Sequence, residues 1–250
     1  MLINFFKYIK NYLTKLAVIL AHTLISAEAN AIIRHHTCED SLYLNEGSKY
    51  PGVGIIYNQT AYCTAFLITI EGLHVLNGHL IMSAAHCLPK KEDTTYKFSA
   101  TLNDAITTYH ARVISSFPHP NAWNDGILVS KNDFGFALIY PGLPLTPLPL
   151  REHVNTPELQ NKLMKTVGVG ATGQGNVNIA YNDKRRRTAR NILMVTPEQK
   201  LLTEFNDNVS EGTLPGLPFF GDCGAPGLID LGQGEQGCFF IQSLAHLWPF

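Results

Sequence analysis

Apolar runs in this chain are short, and turn residues end nearly all of them. VGIIYNQTAYCTAFLITI (Val53 to Ile70), HVLNGHLIMSAA (His74 to Ala85) and YHARVISSF (Tyr109 to Phe117) are β-branched or aromatic in character. So are GFALIY (Gly135 to Tyr140), TVGVGA (Thr166 to Ala171), RNILMV (Arg190 to Val195) and CFFIQSLAHL (Cys238 to Leu247). No repeated helical pattern lies between them, so the chain is all-β, an antiparallel sandwich or barrel. The 20 Gly and 14 Pro, scattered among these runs, suit a turn-rich β protein. PEQKLLTEF (Pro197 to Phe205) has room for one helical turn or two. The Pro-rich stretch Pro141 to His153 is the best candidate for a connection between two halves.

At 250 residues the chain can bury a proper core, and 45% hydrophobic against 16% charged residues is an ordinary globular balance. A formal net charge of -1 excludes a nucleic-acid partner held by bulk electrostatics. KRRR (Lys184 to Arg187) therefore reads as a solvated loop. GVGATG (Gly168 to Gly173) satisfies G-x-G-x-x-G, but neither a helix nor a ribose-binding acid follows it. It reads as a strand and turn. The cluster His35, His36 and Cys38 is not read as a metal site.

Residues 1–31 have the form of a secretory signal peptide. Lys7, Lys10 and Lys15 precede the apolar run Leu16 to Ala27, and Ala29 and Ala31 stand in the A-x-A arrangement. That run is too short to cross roughly 30 Å of hydrocarbon, so no stable membrane insertion is expected once the signal is removed. Cleavage after Ala31 leaves a chain beginning Ile32-Ile33-Arg34, secreted or periplasmic. In an oxidising compartment some of Cys38, Cys63, Cys87, Cys223 and Cys238 should pair, and an odd number leaves at least one over.

Three segments carry chemistry. SAAHCL (Ser83 to Leu88) puts His86 at the corner where a strand ends, and NDFGFALI (Asn132 to Ile139) puts Asp133 at the entrance of an apolar strand. Asp125 is the competing acid. GDCGAP (Gly221 to Pro226) carries Cys223 between glycines. A base, an orienting acid and a nucleophile, in that order and widely separated, are what a catalytic triad needs.

With SAAHC, DFGFAL and GDCGAP at matching separations, the chain resembles the trypsin/chymotrypsin-like serine proteases of the secreted bacterial type, over most of residues 32 to 247. The opening IIRHHTCEDSLYL resembles members that begin with two aliphatic residues. The resemblance implies two antiparallel six-stranded β-barrels, about residues 32–145 and 146–250, with the active site in the cleft between them. It implies His86 as base, Asp133 as orienting acid and Cys223 in place of the nucleophilic serine. The N–H groups of Gly221 and Cys223 form the oxyanion hole, and Asp222 receives the N-terminal ammonium of Ile32. Cys63 and Cys87 match the family's paired cysteines. Leu217 stands at the specificity position, so a preserved pocket is apolar, and Ser243 lies on the strand that pairs with substrate backbone. The substrate is a protein or peptide, the protein a monomer, and no cofactor or metal is required.

Two departures from the family pattern open a second reading. Cys238 follows Cys223 closely, and a disulfide between them removes the nucleophile. The chain ends at Phe250, where the family continues with a strand and a helix, so the second barrel is expected to be incomplete with an exposed sheet edge. The alternative is a catalytically inactive homologue that binds a peptide or protein partner.

Overall fold

The computed structural model describes residues 32–241 except 60–61, 71–75, 90–94, 103–106, 151–155, 177–179, 198–200, 204, 206–208, 210–211 and 231–234. The signal-peptide expectation for residues 1–31 and the substrate-pairing expectation for Ser243 lie outside the described residues.

In chain order the elements begin with β1 (Ile33–Arg34) and a helix, α1 (Asp40–Ser48). Then come β2 (Val53–Tyr57), β3 (Tyr62–Thr69), β4 (Leu80–Ser83), β5 (Lys97–Thr101) and β6 (Thr108–Pro118). A small hairpin of β7 (Trp123–Asn124) and β8 (Ile127–Leu128) leads to β9 (Gly135–Tyr140) and β10 (Leu148–Pro149). β2, β3, β4, β5, β6 and β9 form one antiparallel sheet in the order β3-β2-β5-β6-β9-β4, and pairing of β3 with β4 closes it into a six-stranded barrel.

Side-chain alternation explains why these segments are strands. Ala137 and Ile139 of β9, and Ala111 and Val113 of β6, point into the barrel with Phe98, Ile56 and Ile81. β3 does not alternate in polarity, because both its faces are covered. Ala65 and Leu67 fill the barrel, while Phe66 and Ile68 join a second cluster with Val53, Leu80, Met82, Val167, Val169 and Leu228. That cluster joins the barrel to the second half of the chain. Full burial of Phe66 or Ile68 stabilises the fold by about 1.5–3 kcal/mol each.

The second half contains β11 (Leu163–Gly168), β12 (Thr172–Gln174), β13 (Ala180–Tyr181), β14 (Arg187–Val195), β15 (Leu201–Thr203), β16 (Gly216–Leu217), β17 (Pro226–Asp230) and β18 (Glu235–Ile241). It builds a five-stranded sheet, β15-β14-β11-β17-β18, and a four-stranded one, β13-β12-β1-β16. Neither closes among the described residues. The segment Pro197 to Phe205, with room for a helical turn, instead supplies the short strand β15. GVGATG is a strand end and turn, joining β11 to β12.

Two features depart from the sequence reading. Helix α1 has no apolar stripe to announce it; its buried residues are Tyr43 and Gly47, and Leu42 faces solvent. The KRRR segment is only half a solvated loop. Lys184 and Arg185 are exposed, but Arg187 is completely buried and Arg186 partly so. Arg187 is held by Asp40 (2.7 and 2.8 Å) and Asp183 (2.7 and 2.8 Å), each through both carboxylate oxygens. Arg186 donates to the carbonyls of Gly47, Val53 and Thr101 at 2.7, 2.7 and 3.0 Å. Two neighbouring cations thus dock α1 onto both halves of the molecule.

Removing the buried guanidinium strands two carboxylates that keep some solvent contact. Arg187→Met is therefore expected to lower the unfolding free energy by about 2–3 kcal/mol in urea titration, less than for a fully buried pair. Lys184→Ala should change it by no more than about 0.5 kcal/mol.

Candidate active site

The register of β4 against β9 brings the first two site residues together. Ser83 pairs with Gly135, so the chain segment leaving β4 and the segment entering β9 lie at the same end of an antiparallel pair. His86 sits in a one-turn 3-10 segment, Ala85–Cys87, just beyond β4, and Asp133 lies just before β9. The Asp133 side chain is completely buried. Its Oδ1 accepts the backbone N–H of His86 (3.0 Å) and its Oδ2 faces His86 Nδ1 (2.7 Å). This two-point grip fixes the position of His86 and the tilt of its ring. Nδ1, facing a carboxylate, carries a proton. Asp125, the competing acid, sits exposed in the β7–β8 turn with φ of 49°.

The loop that carries Cys223, Phe219 to Ala225, is tied to the barrel through β3. The Cys223 carbonyl accepts from Thr64 N–H (3.0 Å), and Thr64 Oγ1 donates to the Gly221 carbonyl (2.8 Å). Two tight turns shape the loop, with Asp222 N–H donating to Phe219 O (3.0 Å) and Ala225 N–H to Asp222 O (2.8 Å). Gly221 lies within the first and Gly224 within the second, at φ of +89° and +85°, where a side chain is strained. At Gly224 a Cβ would also run into Ser83 Oγ and the Thr64 carbonyl. The glycines of GDCGAP are thus dictated by backbone shape.

These constraints bring Cys223 to His86. The two side chains are close enough for Cys223 to act on the charge of the His86 ring, and Cys223 is a free cysteine. Burial pulls the imidazolium pKa down, but hydrogen bonds and charge from Asp133 and Cys223 outweigh it and raise His86 to about 9. The ring is therefore protonated at neutral pH.

Asp222 is fully buried beneath the loop. Burial raises its pKa to about 7 against the opposing pull of backbone donors from Phe219, Gly170 and Ile32 and of the Arg187 charge. The Phe219 and Gly170 N–H groups lie 3.1 Å from its two oxygens. Ile32 is likewise fully buried. The GVGATG turn thus forms a cradle: a Cβ at Gly168 would collide with the Asp222 carboxylate. The G-x-G pattern was the visible signal for this role, and only the third dimension shows what it holds. Thr64 is a second residue whose part the sequence did not disclose. Besides its bond to Gly221, its hydroxyl accepts from Val169 N–H (3.3 Å).

Cys63 and Cys87 form the expected disulfide at the floor of the site. Leu217 is half-buried in β16, opposite Ile33, so it lies in the strand that pairs with the N-terminal segment. Phe219 and Phe220 meet edge to face (ring centroids 4.8 Å apart), and Phe220 is exposed. For Cys238 the backbone belongs to β18.

No protein-family model matches the chain, and no curated protein sequence matches it. Among solved structures it is similar to neuropsin, a serine protease expressed in the limbic system of mouse brain. The TM-score is 0.50 at 15% identity, covering 77% of this chain and 86% of that one. The likeness is one of fold: the chain has the all-β, chymotrypsin-like architecture.

Asp133→Asn removes the charge that holds His86 protonated while leaving the ring buried. The His86 pKa, followed by NMR titration of its ring protons, is expected to fall from about 9 to 6.5 or below.

Proposed function

We propose that this protein is a secreted endopeptidase that cleaves peptide bonds through His86, Asp133 and Cys223. The observation that carries the reading is the chain of contacts from a completely buried carboxylate through a clamped imidazole to a free thiol. A structural histidine has no need of a buried acid gripping both its ring and its backbone. A structural cysteine in this compartment gains more from a disulfide than from an imidazole.

The reading assigns the steps in order. The Cys223 thiolate attacks the substrate carbonyl carbon, and the oxyanion takes hydrogen bonds from the N–H groups of Gly221 and Cys223. The His86 imidazolium gives its proton to the leaving amine nitrogen, and a thioester to Cys223 remains. Neutral His86 then draws a proton from water, which attacks the thioester and frees the acid. Asp133 keeps Nδ1 protonated throughout and stabilises the imidazolium, without taking the proton itself. Leu217, Phe219 and Phe220 favour an apolar side chain before the scissile bond, and Ser243 pairs with substrate backbone.

Residues 1–31 act as an export signal, and cleavage after Ala31 converts the Ile32 N–H beside Asp222 into an ammonium. The reading divides residues 32–250 into a first half to about 145 and a second from about 146. The mature protein acts as a monomer, outside the cell or in the periplasm, without a metal or cofactor.

An electrophilic peptide probe is expected to label Cys223 at neutral pH, and His86→Ala should reduce the rate by at least about 100-fold. Labelling indifferent to that substitution would sink the reading and favour a binding protein. Peptide hydrolysis should fall as pH rises through about 9, where His86 loses the proton owed to the leaving group. The Asp222 linkage is opposite in sign to that of an ion-paired acid. With Ala31 still attached, its raised pKa favours the folded state below pH 4, and stability is lost as pH rises toward about 7. A chain beginning at Ile32 supplies an ammonium, so thermal unfolding from pH 4 to 7 should lack that loss.

A further inference from the structure

The Cys63–Cys87 disulfide lies against the nucleophile. His86 offers one ring nitrogen, and Cys63 and Cys87 one sulfur each, within a group whose members all lie within 4.8 Å of one another. Cys87 Sγ is 3.8 Å from the Cys223 carbonyl oxygen. The same carbonyl accepts from Thr64, the residue after Cys63, so the backbone beside Cys63 is hydrogen-bonded to Cys223. Cys223 packs on the cluster that contains both disulfide cysteines, and the His86 ring beside the disulfide is also close enough to feel the Cys223 side chain. One free thiol, one general base and one disulfide therefore share a single site. A serine there would be inert toward the disulfide. A cysteine is not.

We propose that Cys223 exchanges with the Cys63–Cys87 disulfide, giving the protein a thiol–disulfide isomerisation of its own and a reversible form in which the nucleophile is masked. In the forward step the Cys223 thiolate attacks Cys87 Sγ. A Cys223–Cys87 bond forms, the Cys63–Cys87 bond breaks, and its electron pair leaves on Cys63 Sγ. The proton on His86 neutralises the new Cys63 thiolate. One disulfide and one thiol are present before and after, so no external oxidant or reductant is consumed. Attack at Cys63 is the equivalent step that frees Cys87.

Exchange needs a thiolate, a leaving sulfur and access. The base that forms the thiolate for peptide attack forms it equally for this one. The masked isomer lacks a nucleophile at residue 223, so the exchange sets what fraction of the molecules can be acylated. Cys38, also free, lies elsewhere, packed against Ile32, Tyr43, Ala189 and Leu214, and takes no part.

The inference shares its thiol and base with the proposed peptidase but is tested separately, by covalent connectivity. The full chain, cut after Ala31, is incubated without added thiol, quenched in acid, alkylated, and mapped by mass spectrometry under non-reducing conditions, with alkylated Cys38 as the internal standard. Expected are peptides joining Cys223 to Cys87 or Cys63, with the displaced cysteine alkylated. They should appear with first-order kinetics that do not depend on protein concentration. His86→Ala should slow their appearance about 100-fold at pH 6. Cys223→Ser should abolish them and leave Cys63–Cys87 intact. An unchanging Cys63–Cys87 pair with Cys223 always alkylated, or Cys223 joined only to Cys238, overturns the inference. Exchange without peptide hydrolysis upholds it while sinking the peptidase reading, and hydrolysis without exchange does the reverse.

Discussion

A single buried carboxylate organises the functional half of this molecule. Asp222 has no solvent to ionise into, and its oxygens are instead occupied by backbone donors from three distant segments: Phe219 in its own loop, Gly170 after β11, and Ile32 at the head of β1. An unsatisfied carboxyl at that depth costs several kcal/mol, so the three segments are compelled to meet around it. Once they do, the loop above can take little but the path seen, with its two tight turns and two left-handed glycines. Cys223 is carried along with that path. The thiol is thus positioned from below, by the carboxyl next to it in the chain.

The imidazole is positioned by different means. His86 depends on strand register inside the closed barrel, since Ser83 opposite Gly135 decides which end of β4 and β9 faces Asp133. A one-residue slip would turn the apolar face of either strand outward, and the core residues Ile81, Ala137 and Ile139 forbid it. Two independent constraints, a sheet register and a buried acid, converge where imidazole meets thiol. The raised His86 pKa is the electrostatic record of that meeting.

Much of this was legible in the sequence, for physical reasons. Strands β2, β3, β4, β6 and β9 were visible because their inward residues are apolar and turn residues bound them, whereas β5, KFSAT, offers too few apolar residues to stand out. His86, Asp133 and Cys223 stood out because their backbone surroundings, AA before the histidine and glycines around the cysteine, are as restricted as the side chains themselves. Helix α1 was invisible because it buries only Tyr43 and Gly47 and is held by ionic contacts, not by an apolar stripe. KRRR misled because the partners of Arg187 include Asp40, far back in the chain, and those of Arg186 are backbone carbonyls that no sequence pattern marks. The glycine cradle under Asp222 was seen as a pattern without its purpose.

The hydroxyl of Thr64 carries a mechanical consequence. It gives its proton to Gly221 and takes one from Val169, so one oxygen on the barrel wall is bonded to two points of the opposing half. Any hinge motion that widens the cleft there must stretch both bonds together with the Thr64–Cys223 backbone bond beside them. The gap is accordingly of fixed width at its floor.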